Sequence, residues 1–187
     1  MLQKRLEPLL SRKRVAIVEA CVIGLVSGLA AVLLKQGVER LALWRTTSEL
    51  PLWLVLPAIG LMGGWLSGFL VERLAPEASG SGIPQVKAAL GFAKIPLNLR
   101  VALVKLSSTL LALGSGLSLG RQGPTVQIGA ALAAQLSRWV PTSPEYRRQL
   151  ISAGAAAGLA AGFNAPIAGV LFVVEELLQD FSDLTLG

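Results

Sequence analysis

Gly120-Arg121-Gln122-Gly123-Pro124-Thr125-Val126-Gln127-Ile128-Gly129 is the stretch whose reading decides the fold of this chain. A glycine stands four residues before a proline, and apolar residues at helical spacing follow. The same arrangement recurs at Gly80/Pro84 and at Gly162/Pro166. Proline is favoured in the first turn of a helix, where its missing N–H is no loss, and glycine lets the backbone approach a neighbour closely. Each motif therefore predicts a helix that opens at a tight turn. The tip of a helix carries unpaired N–H groups and about half a positive charge, so a tip that opens in apolar surroundings suits an anion.

Composition identifies those surroundings. The chain is 53% hydrophobic and 15% charged, with a mean hydropathy of +0.63, against roughly a quarter charged in soluble domains. A soluble fold of this composition would lack polar surface, so lipid is the solvent. The net charge of +6 does not point to nucleic acid, because Lys and Arg are scattered between apolar runs. Lys4, Arg5, Arg12, Lys13 and Arg14 gather ahead of the first run, and basic residues collect on the cytoplasmic side of a membrane. Residues 1–14 thus read as a basic cytoplasmic segment and 15–187 as a multi-pass integral membrane region. Cys21 is the single cysteine and there is no histidine. With no metal-ligand cluster and no nucleophile beside a base, the sequence argues against an enzyme and calls for no metal and no cofactor.

Working outward from the motifs, residues 15–34 carry one charge, Glu19, and match the length needed to cross the bilayer outward. Residues 50–71 are free of charge and return the chain, with Pro51 and Pro57 tolerated because neighbouring helices satisfy the freed backbone groups. The connection between them, with Lys35, Glu39, Arg40, Arg45 and Glu49, reads as solvated. Beyond Arg73 the apolar stretches shorten. Residues 101–119 are long enough to span, with Lys105 near their start; 123–136 are too short; 151–174 are long but divided by Asn164-Ala165-Pro166. The expected architecture is all-α, a polytopic membrane helical bundle with broken, re-entrant half-helices of the kind that line sites near the midplane. Glycines at four-residue spacing, Gly24/Gly28, Gly60/Gly64/Gly68, Gly116/Gly120 and Gly154/Gly158/Gly162, predict faces along which helices pack closely.

Gly80-Ser81-Gly82-Ile83-Pro84, the Gly120–Gly129 stretch above, and the run from Gly154 through Phe163-Asn164-Ala165-Pro166-Ile167-Ala168-Gly169 together resemble, in order and spacing, the CLC family of chloride channels and proton-coupled chloride transporters. The resemblance implies the N-terminal portion of that family's inverted-repeat fold. It implies that Ser81, with the amides of Gly82 and Ile83, coordinates chloride, and serine rather than proline at this position leans toward chloride over nitrate. The motif alone equally allows Ser81 to be a helix N-cap. The family carries glutamate, a gate and outer proton acceptor, where this chain has Gln122, adjoining Gly123. An amide does not ionise near neutrality. The expectation is therefore passive chloride conduction uncoupled from protons, with proton/chloride antiport as the alternative and a helix-opening Gln122 without a gating role also open. Arg121 would flank the pathway. By resemblance Glu176 corresponds to the inner proton glutamate and Glu175 to a structural position, although the pair also reads as a solvated helix end. Asn164 reads most simply as the cap of the helix that Pro166 opens.

The resemblance further implies a homodimer in the complete protein. It also implies a second half, with another helix tip and a tyrosine that closes the site. Neither is present, and the single tyrosine, Tyr146, sits beside Arg147 and Arg148. The sequence thus reads as an incomplete fragment or one member of a split pair, which would not conduct alone, or else as a non-conducting regulatory membrane subunit.

Overall fold

The computed structural model describes residues 2–47, 52–91, 93, 95–139 and 143–178. Among them, seven α-helices and no strand occur: α1 Leu2–Thr46, α2 Leu52–Leu74, α3 Ile83–Leu90, α4 Leu99–Gly114, α5 Gln122–Leu136, α6 Pro144–Phe163 and α7 Pro166–Phe172. A 3-10 turn, Pro76–Ala78, precedes α3, and α7 runs on into a π-helical segment, Val173–Leu178.

The first helix corrects the expected layout. Residues 35–46 are not a solvated connection, because α1 continues through them, and the backbone of residues 2–14 belongs to the same helix; Glu49 lies outside the described residues. Its apolar portion, Ala16–Arg45, is long and apolar enough to cross a membrane by length and composition. At 1.5 Å per residue those 30 residues extend about 45 Å, more than the hydrocarbon core, which a tilt accommodates. Val18, Val22, Leu25, Leu29 and Leu33 form an exposed apolar stripe along α1, whereas Ile23, Ser27, Ala31 and Leu34 are buried. A helix apolar on both its exposed and its buried face belongs in lipid. The buried face lies on α5 and α6, with the Ser27 hydroxyl donating to the Gly129 carbonyl at 3.3 Å.

The second expected span, 50–71, appears as α2 with Pro57 inside it, its first two residues lying outside the described ones. This helix runs antiparallel to α4, as Gly63 meets Ser115, Ser67 Oγ donates to the Ser108 carbonyl at 3.0 Å, and Val71 packs against Val101 and Val104. The helix expected over 101–119 stops at Gly114, where Gly116 turns the chain at φ +100° and Arg45 of α1 donates to the Gly114 carbonyl at 3.0 Å.

Helices α5 and α6 cross so closely that a Cβ on Gly129 would run into the Gly154 backbone and one on Gly158 into the Thr125 carbonyl. The glycine stripe expected at 154/158/162 is thus a packing face. Elsewhere the outcome is mixed: Gly24, Gly68 and Gly120 have no neighbour within 4 Å of such a Cβ among the described residues, whereas one on Gly28 would lie 3.7 Å from Ala161 and one on Gly64 3.4 Å from Leu117, and the tightest contact of α2 is at Gly63, outside its stripe. Spacing alone does not say which face of a helix meets a neighbour. A further correction concerns Asn164, which does not cap α7. It closes α6 in the left-handed conformation, φ 54° and ψ 35°, a geometry asparagine tolerates better than most residues. Glu175 and Glu176 likewise do not end an α-helix but stand inside the π-helical segment, held down by buried Val173 and Leu177.

Candidate anion site at two helix tips

The helices that open at ordinary turns are capped by side chains. Asn98 Oδ1 accepts from the Val101 amide at 3.0 Å before α4, and Ser143 Oγ accepts from the Tyr146 amide at 3.3 Å before α6. The three Gly/Pro motif helices differ. At the Gly82 cap of α3, the Arg121 cap of α5 and the Ala165 cap of α7 no cap side chain takes an amide of the first turn.

Two of these tips meet. Gly123, buried in the first turn of α5, lies against the Ser81 carbonyl so closely that any Cβ there would overlap it. Gly82 turns the chain into α3 at φ +95°, a conformation L side chains rarely adopt, and is itself pressed against Gln127. Ser81 and Gln122 are exposed on the same open cavity of about 880 Å³, together with Gly80, Ile83, Gly123 and Pro124. Its other walls come from α2 and α4, including Glu72, Lys105 and Ser108. The Ser81 hydroxyl also lies 3.4 Å from the Ile83 amide, a long contact that leaves it mostly uncommitted.

The turn before Ser81 is held by side-chain donors at four successive carbonyls. Gln127 Nε2 donates to Glu77 O at 2.7 Å, Lys105 Nζ to Ala78 O at 2.8 Å and Gly80 O at 2.6 Å, and Gln85 Nε2 to Ser79 O at 2.9 Å. Carbonyl oxygens are the partial negative charges an anion would avoid. Engaging each with an N–H removes those four carbonyls from competition, so that the weakly joined Ser81 hydroxyl and Ile83 amide face the tip, and the nearby ammonium of Lys105 adds positive potential. On α5, the Thr125 hydroxyl shares the Arg121 and Gln122 carbonyls at 3.1 and 2.8 Å.

The residues singled out in the sequence fall into three places. Ser81, Ile83, Gln122 and Gly123 line the cavity, with Gly82 just behind it against Gln127. Arg121 sits beside the α5 tip, its guanidinium 5.5 Å over the Phe163 ring, joining that tip to the end of α6. Glu176 lies apart, its Oε1 2.9 Å from Lys87 Nζ on α3. Lys105 and Gln127 hold the turn although they lie outside the residues that the motif implies for the anion. A lone ammonium in an apolar span is the signal for the first, since ionisable groups within a membrane mark pathways. Nothing local marked Gln127, whose partner lies 50 positions earlier.

Comparison with known proteins supports the family and the fold. The family described as voltage gated chloride channel matches residues 63–187. The chain belongs to that family. It is similar to the H(+)/Cl(-) exchange transporter ClcA of Vibrio cholerae serotype O1, at 42% identity over 167 residues, covering 85% of this chain and 36% of the relative. Among solved structures, it is similar to a slow cyanobacterial Cl-/H+ antiporter with a TM-score of 0.82 and 38% identity, over 91% of this chain and 42% of that one. A CLC-type fluoride/proton antiporter aligns with a TM-score of 0.72 and 30% identity, over 87% of this chain and 40% of the other. This CLC chain therefore spans little more than a third of the length of the curated relatives it matches. The all-helical fold with broken helices and the integral membrane setting are those of the family.

Proposed function

We propose that this chain supplies the Ser81/Gln122 part of a chloride pathway in a proton/chloride exchange transporter. The observation that carries the reading is the meeting of two uncapped helix tips at Ser81 and Gly123, beside an exposed Gln122 and above carbonyls already engaged by side chains. A halide that leaves water needs several weak donors, because one tight cation would trap it. Exchange is supported by what the relatives are named for, and these names favour it over the passive conduction expected from the sequence. A second reading, uncoupled conduction, keeps one specific observation in its favour: the amide of Gln122 stands where an ionisable carboxyl would be needed to take up a proton. In either reading the chain on its own is expected not to conduct, and anion flux from the purified chain in liposomes would refute this.

The experiment is the reversal potential of the reconstituted protein under a pH gradient, together with its complementary half if the chain alone is silent. Exchange predicts that the potential moves with the gradient. A potential that ignores it favours the uncoupled reading, and Gln122→Glu then introduces pH dependence. Fluoride flux in excess of chloride flux would overturn the choice of substrate.

A further inference from the structure

Lys87 stands one turn beyond Ile83 on α3, and its ammonium pairs with Glu176 at 2.9 Å across 89 positions of sequence. Glu176 occupies the π-helical segment Val173–Leu178. Such segments spread a helix by one residue per turn and recur at functional positions. Within this one, Val173 and Leu177 are buried while Glu175 is exposed and unconnected to α3 by any hydrogen bond among the described residues. The paired side chains keep 33% and 46% of their surface, so the pair is only half buried by the described helices.

We propose that Lys87 is a positioning residue for the proton branch of transport: its ammonium holds the Glu176 carboxylate against α3, the two-turn helix whose opposite end presents Ser81 to the anion. The proposal rests on the exchange reading above. A free glutamate at a wet interface samples several rotamers, whereas a charge-assisted bond selects one and fixes the donor–acceptor distance on which proton transfer depends. The same bond ties the anion tip and the inner carboxylate to a single short rigid element, so movement of either is felt by the other.

Two measurements test it. The first is labelling of the purified chain in nanodiscs by a water-soluble carbodiimide and an amine, read at Glu176 and at Glu175 by mass spectrometry. Replacing Lys87 by Gln is expected to raise labelling of Glu176 about threefold, the scale of a half-exposed ion pair, with Glu175 unchanged and Lys87→Arg still protected. No rise at Glu176, or an equal rise at Glu175, overturns the proposal. The second is the ratio of proton to chloride flux in proteoliposomes that hold the chain together with its complementary half. It falls about threefold in Lys87→Gln on the same scale, recovers in Lys87→Arg, and no longer responds to Lys87 once Glu176→Gln is in place. A ratio that Lys87→Gln leaves unmoved in a protein that exchanges overturns the proposal. A protein that moves chloride but no protons overturns the exchange reading, and the labelling then decides by itself whether Lys87 holds Glu176.

Discussion

Gln127 is fully buried on α5, yet its amide reaches back to the Glu77 carbonyl. Replacing it by Leu leaves that carbonyl without its donor and is expected to destabilise the protein by about 1–3 kcal/mol, measured as a lower midpoint in thermal unfolding. At the neighbouring contact, Gly123→Ala drives a methyl group into the Ser81 carbonyl. The two tips must then part. Chloride binding, followed by isothermal titration, should weaken at least tenfold, while Gly120→Ala, whose Cβ meets nothing within 4 Å, should bind as the parent does. Lys105 carries two of the four carbonyl bonds at the turn and is 4% exposed. Lys105→Met removes both bonds and the positive charge, so its loss of stability should exceed that of the Gln127 change, about 3 kcal/mol on the scale of bonds to charged groups.

At the scale of elements, the break between α6 and α7 is made by three adjacent residues. Asn164 takes the left-handed conformation, Ala165 lies at φ −131° and ψ 78°, outside the helical region, and Pro166 opens α7. A β-branched side chain resists that conformation. Asn164→Val should lower stability by about 1–2 kcal/mol and Asn164→Gly should be tolerated, with thermal unfolding again the measurement. The same break was legible in the sequence as a division within 151–174, because proline placement and the residue before it are restricted locally. The role of Asn164 was not legible: whether an asparagine caps the next helix or closes the previous one depends on which backbone angles the packing of α7 against α6 imposes. That packing is so close that a Cβ on Gly169 would lie 2.9 Å from the Ala156 carbonyl oxygen. The end of α1 was hidden for a related reason. The charges from Lys35 to Arg45 look like a loop, but α1 carries them to its end at Thr46.

For the molecule as a whole, an anion held at the tips stabilises the folded state in proportion to its occupancy. The unfolding midpoint should rise with chloride and not with gluconate at equal ionic strength, and the rise should vanish in Gly123→Ala. The exposed apolar residues, among them Trp53, Leu61, Met62 and Trp65 on α2 and Ile167 and Val170 on α7, mark surface covered by lipid or by further protein. Their extent predicts that alkaline carbonate leaves the chain in the membrane pellet.

What the sequence determined by itself is the set of properties written between near neighbours. Apolar runs of bilayer length, basic residues ahead of the first of them, and glycine–proline pairs that stop one helix and start another depend on backbone and solvation preferences acting over a few residues. What only the tertiary structure decided are the pairings between distant ones: Gly123 under Ser81, Gln127 and Lys105 on the carbonyls of the turn, and Lys87 on Glu176. Such contacts are selected by close packing and by the need of each buried polar group for a partner, and both conditions are set only when the helices have been brought together.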